Sequence, residues 1–173
     1  MRYYLNLSIR VIFAFLINPS VLYFLFYPIT VLFSYLLLTP YGAMLSFSEK
    51  KIFVEGHVLN FVIGCIAPSA YYLLTLLVLF TKELSWKKRV KVWLTGALLI
   101  LGMNLIRILV IVLILIYFGK NWFDTFHLFF WDVLGTVYIF FVWIILIKWF
   151  KIKSIPVYDD LRELYKMVFP KKR

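Results

Sequence analysis

Residues 90–118 read VKVWLTGALLILGMNLIRILVIVLILIYF, an almost unbroken apolar run. As a helix rising 1.5 Å per residue it is about 43 Å long. The hydrocarbon core of a bilayer is roughly 30 Å thick, so such a helix tilts or projects beyond it. Outward from it, residues 11–38, 64–81 and 128–150 meet or approach spanning length. The chain has 173 residues, 64% of them hydrophobic and 21% aromatic, with a mean hydropathy of +0.94. Soluble domains are about 45–50% apolar, so this surplus does not fit one small water-soluble core. The sequence predicts an all-α integral membrane protein, a bundle of about four transmembrane helices in a single transmembrane domain. The expected spans are 20–38, 64–81, 92–114 and 128–148, followed by a basic tail over 151–173.

The net charge of +11 is informative through its placement. Arg2 and Arg10 precede the first span, and Lys82, Lys87, Lys88, Arg89 and Lys91 lie between the second and third. Lys148, Lys151, Lys153, Arg162, Lys166, Lys171, Lys172 and Arg173 close the chain. The opposite side carries only Lys50, Lys51 and Lys120, while Arg107 sits within a span. The positive-inside bias therefore predicts cytoplasmic N- and C-termini, a cytoplasmic 82–91 loop and a multi-pass protein of the plasma membrane. Attraction to anionic headgroups accounts for the charge, and no base-stacking module accompanies it, so nucleic acid is not an expected partner.

Pro19 and Pro28 interrupt the first apolar run, since proline removes an amide donor and clashes with the preceding turn. Two readings of residues 2–38 follow: one long kinked helix, or an interfacial helix over 2–18 and then the span. The apolar stretch is longer than a signal peptide's and lacks a small-x-small cleavage site, so no cleaved leader is expected. Thr39-Pro40-Tyr41-Gly42 ends the span. Residues 51–63 alternate loosely around Gly56 and predict a short hairpin at the membrane surface. Residues 119–127 are expected as a short outer loop, and an amphipathic stretch at 158–169 as a surface segment of the tail.

Ionisable and amide groups are costly in hydrocarbon, and those that occur there mark function or internal pairing. They are Cys65, Asn104, Arg107, His127 and Asp132. Cys65 and His127 stand where outer loops enter helices. Arg107, about 9 Å below the outer boundary, can extend up to it, with Asn104 on the same helical face. A thiol, an imidazole and a guanidinium at one level can perform acyl transfer. The imidazole takes the thiol proton, the thiolate attacks a peptide carbonyl, and the guanidinium offsets the oxyanion. Each also has a structural reading: Cys65 as a small apolar filler, His127 as an interface residue beside Trp122 and Trp131, and Arg107 paired with Asp132. His57 reads as a surface residue. One cysteine allows no internal disulfide, and no ligand cluster has metal spacing, so neither metal nor cofactor is expected.

The stretch Phe61-Val-Ile-Gly-Cys65-Ile-Ala-Pro-Ser-Ala70 resembles the nucleophile segment of the exosortase/archaeosortase family. Gly102-Met-Asn104-Leu-Ile-Arg107-Ile-Leu resembles that family's Asn-x-x-Arg segment, and His127 matches its third position, His in many members and Arg in some. The resemblance covers roughly residues 50–150, in a chain shorter than many members. It implies a membrane cysteine protease/transpeptidase acting at the outer face on surface proteins that end in a motif, a transmembrane helix and a basic cluster. Cys65 would form the thioester, Arg107 would stabilise thiolate and oxyanion, and His127 would be the general base, with Asn104 and Asp132 supporting. A membrane phospholipid, or water, would accept the new C-terminus. Two alternatives stand beside it. One is a non-enzymatic assembly subunit with a structural Arg107–Asp132 ion pair; the other is a small lipid- or glutathione-handling enzyme. Neither requires Cys65.

Overall fold

Asn18 and Pro19 decide how the chain begins. In the computed structural model, which describes residues 2–46, 51–82, 84–130 and 135–152, Asn18 is extended and its side chain accepts a hydrogen bond from the Val21 amide at 3.0 Å. Pro19 follows at the first helical position, where a missing donor is harmless. The result is two helices, α1 (Arg2–Leu16) and α2 (Pro19–Leu38), not one long kinked helix. Helix α2 continues through Pro28 and ends in a 3₁₀ turn over Thr39–Tyr41.

Three short strands follow, β1 (Met44–Ser46), β2 (Lys51–Val54) and β3 (His57–Asn60), forming an antiparallel meander in the order β1-β2-β3. The expected hairpin is β2–β3; Glu55 and Gly56 both take positive φ, 47° and 75°, as a two-residue type I′ turn requires. Ile52 and Val54 point inward from β2 and are buried against Val31, Leu38, Ile108 and Val112. The sheet thereby covers one end of the helical body.

The expected helix over 64–81 is interrupted. Helix α3 (Ile63–Ile66) stops at Ala67, which adopts the left-handed conformation (φ 54°, ψ 49°), and α4 (Pro68–Leu79) restarts beyond it. The cause is local: the Pro68 ring disfavours right-handed helix at the residue before it. Helix α4 is about 18 Å long, well short of a hydrocarbon core.

Helix α5 (Trp86–Phe118) runs for 33 residues as the spine of the molecule. Gly119, at φ 81°, turns the chain sharply. Residues 119–127, expected as loop, lie largely within helix α6 (Lys120–Phe129), packed against α5. Phe123, Phe126, His127 and Phe130 are its half-buried positions, the i, i+3, i+4, i+7 spacing of an amphipathic helix. The last apolar stretch is α7 (Gly135–Phe150); of the expected 128–148 span, residues 128–129 belong to α6 and 135–148 to α7, while 131–134 lie outside the described residues. Residues 153–173, hence most of the basic tail and its amphipathic stretch, lie outside the described residues.

Tyr71, Leu74, Val92, Val142 and Leu146 form the centre of the main core. Gly96 lets α4, α5 and α7 meet there: a Cβ on it would stand 2.8 Å from Leu74 and 2.9 Å from Leu146. Two stretches, Pro19–Tyr41 and Trp86–Phe118, are long and apolar enough to cross a membrane, each with only 33% of its most apolar window buried. Their outward residues include Phe24, Leu36, Leu98 and Ile106.

Arg89 closes the end of α4. It is 4% exposed and donates to the carbonyls of Val78, Leu79 (2.6 Å), Thr81 (2.7 Å) and Leu84 (3.1 Å). The last carbonyls of a helix have no partner of their own and favour a cation. Arg89→Leu should therefore lower stability by about 3 kcal/mol or more, since each buried acceptor left unpaired costs about 1–3 kcal/mol. Thermal unfolding in detergent measures it, and Arg89→Lys should recover only part of the loss.

Candidate active site around Cys65

The break at Ala67 creates the site. Helix α3 is a single turn, and its carbonyls have no following turn to bond. Two side chains of α5 take them instead. Asn104 Nδ2 donates to the Cys65 carbonyl at 2.8 Å, and Arg107 Nη2 donates to the Gly64 carbonyl at 3.0 Å and to that of Cys65 at 3.5 Å. The Cys65 amide in turn donates to the Val62 carbonyl at 2.9 Å. The backbone of the cysteine is therefore held from both sides while its side chain stays half-buried.

Cys65, Arg107 and His127, brought by α3, α5 and α6, line one cavity of about 410 Å³. Its floor is apolar, with Ile108, Ile111, Val112 and Leu115 of α5, and its far wall is β3 with the two residues after it. Arg107 also borders a second, smaller cavity of about 50 Å³ together with Asn104, Met103 and Tyr138. The Arg107 Nε is buried and has no hydrogen-bond partner among the described residues. The guanidinium is thus only partly engaged by the backbone it holds.

His127 sits edge-on to Phe123, with ring centroids 5.3 Å apart. Burial, then the positive charge of Arg107, pushes its pKa below the ordinary histidine value, against a smaller upward pull from Asp124. The imidazole is therefore neutral near pH 7 and able to accept a proton.

Of the residues singled out in the sequence, Cys65, Arg107 and His127 share the cavity, and Asn104 stands behind it, 5% exposed and bonded to the Cys65 backbone. Asp132 lies outside the described residues. His57, read from the sequence as a surface residue, is exposed but lines the same cavity, as does Lys120. Local sequence carries no sign of this, because a long-range fold brings β3 and α6 together. No group of three metal-ligating side chains forms among the described residues.

Comparison with known proteins adds no family: no family model, no curated protein and no solved structure matches the chain.

Asn104→Leu tests the bracket on Cys65. It leaves the Cys65 carbonyl only the longer 3.5 Å bond from Arg107 and should cost about 1–3 kcal/mol. The freed turn should also alkylate faster, by about three- to tenfold if one such bond is lost. Iodoacetamide kinetics measure this cleanly because Cys65 is the chain's only thiol.

Proposed function

We propose that the protein is a membrane-embedded cysteine transpeptidase that trims the C-terminal anchor of other membrane proteins. The observation that carries this reading is the convergence of Cys65, Arg107 and His127 from three helices on one apolar cavity. Two helices of membrane-crossing length and the one-sided placement of cationic residues support a multi-pass protein with about four membrane segments. On that topology both termini are cytoplasmic and the cavity faces outward, at the Phe118 end of α5. The motifs that resemble the exosortase/archaeosortase family fall on the cavity residues, which adds to the reading.

The chemistry follows from the groups present. Neutral His127 accepts the Cys65 thiol proton, and the thiolate attacks a peptide carbonyl carbon. Arg107, a guanidinium with an N–H that is unpartnered among the described residues, offsets the oxyanion. The C–N bond breaks, the imidazolium returns its proton to the leaving amine, and the acyl group remains on Cys65 as a thioester. An amine or hydroxyl of a lipid headgroup, or water, then attacks the thioester, and the thiolate leaves. His127 takes the proton of that nucleophile.

A second reading has its own observation. Asn104 and Arg107 both bond the backbone around Cys65, as a purely structural bracket in a non-enzymatic assembly subunit would. Cys65→Ala separates the two readings. It removes one thiol and should leave abundance unchanged, while abolishing the covalent route. Cells carrying it should accumulate a membrane protein with its C-terminal anchor uncut, read by mass spectrometry of membrane-protein C-termini. Identical C-termini in both strains would overturn the transpeptidase reading.

The pH dependence has a defined sign. His127 works in its neutral form and its pKa is lowered. Activity should therefore be flat from about pH 6.5 upward through neutrality and fall only below that ordinary histidine value. His127→Gln should remove this acid limb and lower the rate by about 10²–10⁴. A limb centred above the ordinary value would remove His127 as the base.

A further inference from the structure

The free edge of the sheet is built into the wall of the cavity. In an antiparallel ladder, opposed residues alternate between pairs that exchange hydrogen bonds and pairs that do not. The two-residue turn Glu55–Gly56 fixes the phase: Val54 and His57, which flank it, exchange bonds, and so do Ile52 and Leu59. Phe53↔Val58 and Lys51↔Asn60 are then the non-bonded pairs. The amide and carbonyl groups of Val58 and Asn60 therefore point away from β2. No further strand pairs with β3 among the described residues, and His57, Val58 and Asn60 are exposed.

That edge fronts the reactive group. All residues from His57 to Val62 line the cavity, and the chain then passes directly into α3 and Cys65. Two donors and two acceptors at alternate residues, spaced along an extended backbone, match one kind of occupant: another extended backbone. The cavity's side chains supply the rest of the description. Its floor is apolar along α5, and its lining carries the basic side chains of Lys120 and Arg107, with no acidic residue among the described residues that line it.

We propose that an extended peptide bearing an acidic side chain adds to the free edge of β3 as a fourth strand, running toward Cys65. This rests on the reading of Cys65 as an acyl-transfer nucleophile for its purpose, but the binding itself requires no chemistry. Val58 and Asn60 hold the peptide backbone. An apolar side chain enters between Ile111 and Leu115, and the acidic one meets Lys120.

The experiment uses full-length Cys65→Ala protein in detergent micelles, which binds without reacting, and a library of end-blocked heptapeptides as probe. Retained peptides should carry an acidic residue, and N-methylation of their backbone amides should weaken binding at alternate positions only. Each sensitive position should lose about tenfold, the worth of one good hydrogen bond. Val58→Pro should weaken every retained peptide to a similar degree. Its amide is outside the β2–β3 ladder, and proline is tolerated on an edge at such a position. Lys120→Gln should abolish the preference for the acid.

Strand addition is overturned if no peptide is retained, or if methylation is tolerated at every position or penalised without alternation. The methylation scan leaves the sheet unaltered, so the result stands even where Val58→Pro disturbs folding. A protein that trims its substrates yet ignores backbone methylation sinks strand addition alone. Alternating sensitivity without trimming would leave the edge a peptide site and remove the transpeptidase reading.

Discussion

The breaks at the two ends of α4 are tolerated because α5 carries hydrogen-bond donors to them. A helix broken after one turn, and restarted for three more, leaves carbonyls unpaired at both breaks. In an apolar surrounding each such group costs more than a typical hydrogen bond returns. Arg107 and Asn104 serve the upper break, Arg89 serves the lower one, and Trp93 bonds Thr75 between them at 2.8 Å. These donors fall along one side of a 33-residue helix. The spine thus does for the 63–85 segment what an unbroken helix would do for itself. In return, the segment can present a cysteine on a short turn at the wall of a cavity.

Arg107 consequently has two jobs that no single substitution separates. Its Nη2 holds the backbone at Gly64 and Cys65, while its Nε has no partner among the described residues and its charge reaches His127. On the proposed reading, a loss of function at Arg107 would mix a misplaced nucleophile with a missing charge. Asn104 is the cleaner probe of position because its side-chain hydrogen bond goes to the Cys65 carbonyl alone among the described residues. His127 is the cleaner probe of proton transfer because it lies on a different helix and holds none of this backbone.

Much of this was readable in the residues. Pro19 made a break between α1 and α2 one of two readings of residues 2–38, and the alternation around Gly56 marked the hairpin. The i−3 relation placed Asn104 on the Arg107 face. Other features were hidden for physical reasons. Pro68 was compatible with the first turn of a continuous span, and only the left-handed Ala67 shows that the turn before it is a separate helix. Helix α6 is amphipathic, but its ten residues are too few to stand out beside apolar runs twice as long. Strand β1, three residues long, has no periodicity to read. Arg89 looked like one more cation in a basic loop. Its partners are backbone carbonyls, which leave no mark on a sequence, and the same holds for the bond from Asn104 to Cys65.

The order of synthesis gives the Arg89 and Arg107 contacts a further meaning. Helix α4 leaves the ribosome before the residues that complete its ends. Until α5 exists, the carbonyls at residues 64, 65, 78 and 79 have only water to bond, and a three-turn helix cannot hide them. Helix α4 can therefore leave water only together with α5. They must do so as a paired hairpin, with both arginines already turned inward when the pair is released. Biogenesis is thereby constrained at the same bonds that later hold the cysteine.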